Sequence, residues 1–365
     1  MLRDVARCRT ALLGGHVQRC DDCGQECIAY NSCRNRHCPK CQGAARARWL
    51  EREAGYLLPV EYHHVVFTLP AALGPMVLQN PTPLYKLLFA AMADTVRELA
   101  ADPHYLGAAV GVLAVLHTWG QNLHHHPHLH CVITGGGLSC DADGHVDEAP
   151  CWRSCRPGFF LPVRVLSRLF RGKFLAGLRQ AHRDGCLGFH GRLAPLADPA
   201  AFNAWLTPLY EADWVVYAKA PFGGPAQVLK YLARYTHRVA ISNQRLLDVS
   251  NGRITFRYKD YADDHRQKTM TLSAEEFLRR FLLHVLPRGL VKIRHYGLLA
   301  NRRREANLKC CRRLLLVQVV AQALVEPAAA TLPVCPWCGL GHLVRVRRLP
   351  RPNAWESQRQ PINSS

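Results

Sequence analysis

The pattern of apolar and polar positions predicts a sheet in the middle of the chain. Residues 62–69 are β-branched and aromatic, and Pro70 closes the stretch, so they predict a strand. The apolar run 109–119 is typical of a buried strand. A short connection leads from it to 128–134, which predicts an antiparallel pair whose second strand ends at the glycine run 135–137.

Helices and a hairpin complete this pattern. Residues 84–101 predict a helix, and 161–182 have apolar positions at helical spacing. Residues 213–219 predict a further strand, and the Asn-Gly pair at 251–252 favours a hairpin turn. Ser273 opens a capped helix that we expect to run to about residue 286. The fold class predicted is α+β, an antiparallel sheet with helices on one side.

Cysteine spacing predicts a small zinc-binding module at the amino terminus. The chain has 16 cysteines, and the segment 1–8 lacks the apolar core of a signal peptide, so we expect metal binding rather than disulfides. Two Cys-x-x-Cys pairs each have the spacing with which one loop supplies two ligands to tetrahedral Zn²⁺. Free thiols in a small apolar cluster are the alternative. The candidate ligands, enough for two zinc ions, are Cys8, His16, Cys20, Cys23, Cys33, His37, Cys38 and Cys41.

Basic residues between these ligands suggest what the module binds. Arg34, Arg36 and Lys40 would give a zinc-stapled loop a positive surface suited to DNA backbone, with protein contact as the alternative. Near the other end, Cys335-x-x-Cys338 resembles half of a zinc ribbon whose partners the spacing does not identify. The predicted regions are a zinc-binding module at 1–50, a catalytic domain at 51–300, and a basic carboxyl-terminal region at 301–365 with this half-ribbon and a disordered tail.

The net charge of the chain predicts a polyanionic partner. Its 365 residues carry a formal charge of +20, which is most simply explained by neutralisation of phosphates. Binding to a membrane surface is the competing explanation. The sequence has no uninterrupted apolar stretch of about 18 residues. We therefore expect a soluble bacterial protein, located in the cytoplasm and associated with the nucleoid, with no membrane partner.

Two short motifs carry the candidate chemistry. His128 and His130 are two positions apart on a predicted strand, so both imidazoles would project from one face and could hold a metal ion. Tyr231 and Tyr235 are four positions apart on a predicted helix, so both phenols would point the same way. Histidines satisfied in the core and tyrosines that only pack are the alternatives. Together, with the flanking cations Lys230, Arg234 and Arg238, the motifs match metal-assisted tyrosine attack on a DNA phosphodiester.

The chain closely resembles the two-tyrosine HUH transposases of rolling-circle insertion sequences, the insertion sequence 91 type, where HUH denotes two histidines flanking a hydrophobic residue. Three stretches carry the resemblance, in the same order and at similar spacing. They are Cys-Arg-Asn-Arg-His-Cys-Pro-Lys-Cys at 33–41, His-Pro-His-Leu-His-Cys-Val-Ile-Thr-Gly-Gly-Gly at 126–137, and Tyr-x-x-x-Tyr at 231–235. The likeness extends over nearly the whole chain.

The resemblance implies an HUH endonuclease-like palm behind the zinc module, and a mechanism. Tyr231 or Tyr235 would attack a phosphate of single-stranded DNA, at an insertion-sequence end or target, and leave a 5′-phosphotyrosine and a free 3′-hydroxyl. His128 and His130 would hold a catalytic Mg²⁺ or Mn²⁺, while zinc is structural. Since imidazole is not the preferred ligand of Mg²⁺, a third protein ligand is expected. Gln121 is the first candidate for it and Gln227 the second.

Two other function classes stay open at this point. An HUH replication initiator or relaxase would use the same histidine and tyrosine chemistry. A non-catalytic zinc-dependent DNA-binding regulator would explain the charge and the cysteines, but it has no need of paired histidines or of two tyrosines one helical turn apart. The zinc module, with no helicase motif in the sequence, favours the transposase over the initiator or relaxase.

Overall fold

The structure is a computed structural model, and it describes residues 2–222, 224, 227–228, 231, 240–260, 263–316 and 332–352. The helices are α1 (Leu2–Ala6), α2 (Pro39–Ala54), α3 (Gly74–Gln79), α4 (Pro81–Ala101), α5 (Val163–Arg183), α6 (Pro199–Glu211), α7 (Ala274–Leu282) and α8 (Arg304–Leu314). The strands are β1 (Gly15–Cys20), β2 (Glu26–Tyr30), β3 (Tyr62–Thr68), β4 (Ala108–Trp119), β5 (His125–Ser139), β6 (Trp152–Ser154), β7 (Val216–Phe222), β8 (Leu246–Ser250), β9 (Arg253–Asp260), β10 (Arg266–Ser273), β11 (Ile293–Gly297) and β12 (Leu343–Leu349).

The chain forms two compact units. The first combines the amino-terminal residues up to Trp49 with the carboxyl-terminal residues 332–352, and the second extends from Leu50 through residue 316. This division differs from the three predicted regions at the carboxyl end. Residues 343–349, which we expected in a separate region with a disordered tail, form β12 and pair with β1. The apolar residues of β12 alternate with arginines, a pattern that fits an exposed edge strand.

The first unit has a three-stranded antiparallel sheet in the order β12-β1-β2. One apolar cluster of this unit is small, with Cys20, Cys335 and Leu343 as its buried residues. A cluster of this size cannot by itself offset the conformational entropy lost on folding. A unit of this kind is usually stabilised by disulfide bonds or by a bound metal ion.

The second unit has a larger antiparallel sheet in the order β11-β4-β5-β3-β7, with β6 paired to β5. Alternate residues of the central strands, such as Phe67 and Leu129, point to one face and are fully buried in the main core. Apolar residues of α4 and α5 belong to the same core, so these helices cover that face. The predicted α+β class, with an antiparallel sheet and helices packed on it, is confirmed.

Most element bounds lie within a few residues of the predicted ones, and the main difference is the length of β5. This strand continues through the glycine run to Ser139 instead of ending there. A Cβ at position 137 would lie 2.1 Å from the carbonyl oxygen of Ala109, so the glycine allows a close strand approach. A smaller antiparallel sheet, in the order β10-β9-β8, follows later in the chain. No helix among the described residues has the length and apolar content needed to span a lipid bilayer.

Candidate active site and zinc sites

Strand register brings three histidines together on the sheet face opposite the main core. His128 and His130 project from this face of β5, as predicted. His117 on β4 lies directly across the strand pair from His128. Cross-strand neighbours on one face have Cβ atoms about 5 Å apart, so their imidazoles meet. One ring nitrogen from each of the three histidines lies within 4.8 Å of the others, a set that can hold a metal ion.

Hydrogen bonds and burial fix these imidazoles in the neutral form that ligates metals. His128 places Nδ1 2.7 Å from the backbone oxygen of His126, so Nδ1 is the donor and Nε2 faces the cluster. The Nε2 atoms of His128 and His130 are 3.1 Å apart. Burial lowers the pKa of His128 to about 4 and that of His130 well below its usual range. Both rings are therefore uncharged at neutral pH.

Tyr231 lies at the edge of this cluster. Its backbone is helical, and its hydroxyl oxygen is 2.8 Å from Nδ1 of His130 and 2.6 Å from Nε2 of His64. His64 belongs to β3 and lies on the same sheet face, where its ring stacks on that of His130. Burial lowers the pKa of His64 to about 4, so His64 is a neutral hydrogen-bond acceptor for the phenol.

A cavity of about 580 Å³ opens in front of Tyr231 and the histidines. Its wall includes the cations Lys219, from β7, and Arg245, together with Trp119. The ring of Trp119 stacks on His117, with centroids 4.6 Å apart. A metal-ligating cluster, a phenol and two cations facing one cavity form a surface suited to a phosphodiester.

Gln121 contributes its backbone to this region. It lines the cavity, and its carbonyl oxygen accepts a hydrogen bond from Arg245, while His117, His128 and His130 form a three-nitrogen set beside it. Gln227, the second candidate, is exposed. Tyr235 and the predicted DNA contacts Lys230, Arg234 and Arg238 lie outside the described residues.

The predicted zinc ligands fall into two sets in the first unit. Cys8, Cys33, Cys38 and Cys41 form one four-sulfur set, with Sγ distances of 3.5 Å for Cys8 to Cys41 and 3.7 Å for Cys33 to Cys41. Such separations are close to the edge of about 3.8 Å of a tetrahedron with Zn–S bonds of about 2.3 Å. Cys20 and Cys23 belong instead to a second set, which takes its other two sulfurs from Cys335 and Cys338.

The pKa values of the first cysteine set also favour the binding of a cation. Burial raises the pKa of Cys8, but hydrogen bonds to its sulfur, first from the Cys33 backbone, outweigh this and leave the pKa at about 7. Burial raises the pKa of Cys33 to about 12. One thiolate therefore forms readily and opposes ionisation of its neighbours, so a cation is needed to hold all four thiolates together.

His16 and His37 are in neither set. His16 is the second residue of β1, opposite Arg348 of β12 and Ala29 of β2, and it lines a groove together with Cys33. His37 is buried beside the first set, and its Nδ1 is 3.2 Å from the side-chain oxygen of Asn35. The four sulfurs already complete a tetrahedron, which leaves these imidazoles other roles.

The predicted DNA-binding residues of the zinc module differ in exposure. Arg34 and Lys40 are exposed, and Lys40 donates to the backbone oxygen of Cys8. Arg36 is half-buried, and burial lowers its pKa. Arg34 also lines a groove of about 1020 Å³ together with Arg9 and Arg351. Arg34 therefore belongs to a basic groove that also takes arginines from the amino-terminal and carboxyl-terminal segments of this unit.

Local sequence patterns did not indicate His117, His64, Lys219 or the partners of Cys335 and Cys338. A turn that joins the predicted strand ends 119 and 128 symmetrically would place position 117 opposite 130, whereas the observed register pairs it with 128. His64 follows from its predicted strand only once β3 is known to pair with β5. The cysteine partners are more than 300 positions apart, and no local pattern indicates them.

Comparison with known proteins places these features in a family. A family described as "Putative transposase" matches residues 111–306, and a "Transposase zinc-binding domain" matches residues 1–69. The "Putative transposase y4qJ" of Sinorhizobium fredii (strain NBRC 101917 / NGR234) is 53% identical over 94% of this chain and 87% of its own length. The "Transposase for insertion sequence element IS801" of Pseudomonas savastanoi pv. phaseolicola is 28% identical over 81% of this chain and 68% of its own. No solved structure matches the chain.

Proposed function

The chain belongs to the transposases of the insertion sequence 91 type, and on that premise we propose that it nicks and joins single DNA strands through a 5′-phosphotyrosine intermediate in rolling-circle transposition. Transposases cleave and join DNA, so DNA is the partner. The formal charge of +20 is then explained by binding to the DNA phosphates. The observation that carries the proposal is the position of the Tyr231 hydroxyl, 2.8 Å from a ring nitrogen of His130 in the three-histidine cluster.

An HUH endonuclease-like palm is part of the proposal. Its support is an antiparallel sheet with helices on one face and the two histidines of a His-Leu-His motif on the other. Tyr231 comes from a helical segment that follows β7, the strand at the edge of the sheet next to β3. This arrangement lets a strand face supply metal ligands while a helix supplies the nucleophile.

The three histidines fit a divalent ion. His128 and His130 face each other through Nε2 atoms 3.1 Å apart, close to the separation of about 3 Å between adjacent ligands of an octahedral ion with bonds of about 2.1 Å. His117 supplies the third nitrogen in place of the predicted Gln121. Mn²⁺ accepts imidazole more readily than Mg²⁺ does, so we favour Mn²⁺ as the better activator. When bound, the ion would polarise the scissile phosphate and stabilise its negative charge.

The second nitrogens of the ligating rings have assigned partners. Ligation through Nε2 leaves Nδ1 as the N–H donor, so His128 donates to the carbonyl oxygen of His126. By the same logic His130 donates from Nδ1 to the hydroxyl oxygen of Tyr231, which in turn donates its proton to Nε2 of His64. These linked hydrogen bonds hold the phenol oxygen at a fixed position beside the metal ligands. Nucleophilic attack requires this restriction of the position of the nucleophile.

Lys219 and Arg245 would bind the DNA phosphates at the cavity. Both cations line the cavity that Tyr231 also lines, so they can contact the backbone of a single strand bound there. A second tyrosine allows a second cleavage while the first is esterified, as transfer of one strand requires. We assign that role to Tyr235, one helical turn beyond Tyr231 in sequence.

The experiment is an adduct assay with the full-length protein and a single-stranded oligonucleotide that carries an end of the element. With Mn²⁺ or Mg²⁺, the wild type should give a protein-DNA complex that survives denaturant and is digested by protease to a 5′-linked peptide. Tyr231→Phe combined with Tyr235→Phe should abolish it. Tyr217→Phe is the matched control, because this exposed tyrosine also faces the cavity.

Two outcomes would contradict the proposal. An undiminished adduct in the double variant would place the nucleophile elsewhere. Cleavage that is followed only by resealing of the same strand, with no joining of the end to a target strand, would favour an initiator or relaxase. Joining to a second strand is the step that defines transposition.

A further inference from the structure

Two Cys-x-x-Cys loops from opposite ends of the sequence adopt the same backbone structure. In each, the residue after the second cysteine is a glycine with positive φ, +72° at Gly24 and +71° at Gly339. In each, that glycine donates its N–H to the carbonyl of the first cysteine, at 3.2 Å for Cys20 and 2.9 Å for Cys335. A positive φ favours glycine, so the Cys-x-x-Cys-Gly sequence of both loops is explained by this turn.

The four sulfurs of these loops are arranged as a tetrahedral metal site. Cys20 and Cys338 have Sγ atoms 3.7 Å apart, and so do Cys23 and Cys335. The separation matches the edge of about 3.8 Å of a tetrahedron with Zn–S bonds of about 2.3 Å, whereas a disulfide needs about 2.05 Å. Cys20 and Cys335 are almost fully buried, at 2% and 1% exposure.

Backbone N–H groups also point at the sulfurs, as they do around thiolates. Asp22 and Cys23 each donate to the sulfur of Cys20 at 3.4 Å. Gly341 donates to the sulfur of Cys338 at 3.4 Å. Hydrogen bonds of this kind favour the ionised sulfur, the form that binds zinc.

Pairing outside the loops holds them at this distance. β1 ends at Cys20, and its partner there is Leu343, the first residue of β12. Beside it, His342 accepts a hydrogen bond from the N–H of Asp21 and donates its own N–H to the side chain of Asp21, at 3.1 and 2.7 Å. A Cβ at Gly341 would lie 2.5 Å from the sulfur of Cys20, so the two loops approach as closely as glycine permits.

We infer that Cys20, Cys23, Cys335 and Cys338 bind a second structural zinc ion, which joins the carboxyl-terminal segment to the amino-terminal zinc-binding domain. The matched zinc-binding family ends at residue 69 and so includes only half of this site. The inference is independent of the proposed function. The site gives the half-ribbon at 335–338 its missing ligands. The bound ion would also stabilise the small apolar cluster around Leu343.

The first experiment counts zinc in the full-length protein, in a His117→Ala background so that the histidine cluster adds none. The parent should contain two equivalents. Cys335→Ser with Cys338→Ser should contain one, Cys20→Ser with Cys23→Ser should also contain one, and the quadruple variant should still contain one. Cys27→Ser, a change on β2 outside both sets, should keep two. One equivalent in the parent, two in either double variant, or none in the quadruple variant would overturn the inference.

A second measurement works even where a variant folds poorly, because it uses the parent protein. The chain up to residue 50 has seven cysteines, so two zinc ions with sulfur-only coordination need cysteines from elsewhere in the sequence. X-ray absorption should show four sulfurs per zinc at about 2.3 Å. Alkylation should label Cys335 and Cys338 only after zinc is removed. A mixed nitrogen and sulfur shell, or ready labelling of these two thiols in the zinc-loaded parent, would contradict the second site.

Discussion

Tyr231 and His130 are 101 positions apart in the sequence, yet the hydroxyl oxygen of the tyrosine lies 2.8 Å from Nδ1 of the histidine. The contact joins the two motifs from which the chemistry was predicted. His130 uses its other ring nitrogen toward His128, so one imidazole connects the proposed metal ligands to the proposed nucleophile.

His64 should act by positioning Tyr231. Its Nε2 accepts from the phenol at 2.6 Å, and burial lowers its pKa to about 4, so it remains a weak, neutral acceptor. We expect His64→Leu to lower the rate of adduct formation about 10- to 100-fold without a change in DNA affinity. His64→Gln, which keeps an acceptor, should recover part of the rate. An unchanged rate in the leucine variant would show that the phenol needs no such partner.

His117 should be a metal ligand and Gln121 should not. The ring of His117 belongs to a three-histidine set that can hold a metal ion, while the hydrogen bond of Gln121 to Arg245 is made by its backbone oxygen, which every side chain retains. We expect His117→Ala to reduce cleavage at least about 100-fold, as for loss of a metal ligand, and Gln121→Ala to change it little. Both variants should bind DNA normally, because affinity comes mainly from phosphate contacts.

Removal of the metal ion tests the assignment of His117 as a ligand by a second, independent measurement. Chelation should stop cleavage by the wild type, and added Mn²⁺ should restore it, whereas excess Mn²⁺ should not rescue His117→Ala. Calorimetric titration with Mn²⁺ should show weaker binding to that variant. If Gln121→Ala instead loses metal affinity and His117→Ala keeps it, the ligand assignment is wrong.

The sequence predicted what depends on local pattern and missed what depends on register. His128 and His130 share a face because side chains alternate along any strand, so their pairing needed no knowledge of the fold. His117 and His64 join them only through the pairing of β4 and β3 with β5. Gln121 was predicted from its ligand chemistry and its nearness to the strand end, and His117 is the third ligand that we propose in its place.

The same limit explains the cysteines. Local spacing identified Cys20 and Cys23 as a ligand pair and Cys335 and Cys338 as half of a site. Their association depends on the pairing of β1 with β12, whose arginine-rich sequence was interpreted as a solvated tail. An edge strand with alternate arginines has a weak apolar pattern, so composition favoured disorder where long-range pairing produces a strand.

Gly137 should be essential to the sheet. We predicted that the glycine run would end a strand, but at this position the absence of a side chain allows β5 to approach Ala109 of β4. A methyl group there would lie 2.1 Å from the Ala109 oxygen, so Gly137→Ala should lower the free energy of unfolding by about 1–3 kcal/mol. Gly172→Ala in α5 is the control. Nothing lies within 4 Å of its Cβ, and it should stabilise the protein by up to about 1 kcal/mol in denaturant titrations. Equal effects of the two changes would contradict this explanation of the glycine.

His284 should make the protein less stable in acid. The ring is 1% exposed and lies between Thr118 and the backbone oxygen of Leu123, and burial lowers its pKa from 6.5 to about 4. Below pH 6.5 the unfolded chain gains a proton here that the folded protein excludes until about pH 4. The free energy of unfolding should therefore fall across this window, by up to about 3 kcal/mol from this residue.

Thermal melts of His284→Gln would test the sign of this effect. The glutamine can still donate to Leu123 but does not titrate, so the loss of stability between about pH 7 and about pH 4.5 should be smaller than in the wild type. His104→Gln, at a side chain that is 93% exposed, is the matched control for the histidine-to-glutamine change. A variant with the full wild-type slope would assign the acid sensitivity to other groups.

The exposed cations of the zinc module should bind DNA phosphates. Arg34 and Lys40 are exposed, whereas Arg19 on β1 is engaged by Glu26 at 2.6 Å, so its charge is already offset. We expect Arg34→Gln with Lys40→Gln to raise the Kd for DNA. The slope of log Kd against log salt concentration should become shallower by about 0.7–0.9 for each phosphate that the variant no longer neutralises. Arg19→Gln should change neither quantity, since an exposed ion pair presents little net charge to a phosphate. If the double variant has the wild-type slope and the same affinity, these residues serve protein contacts instead, the alternative that the sequence left open.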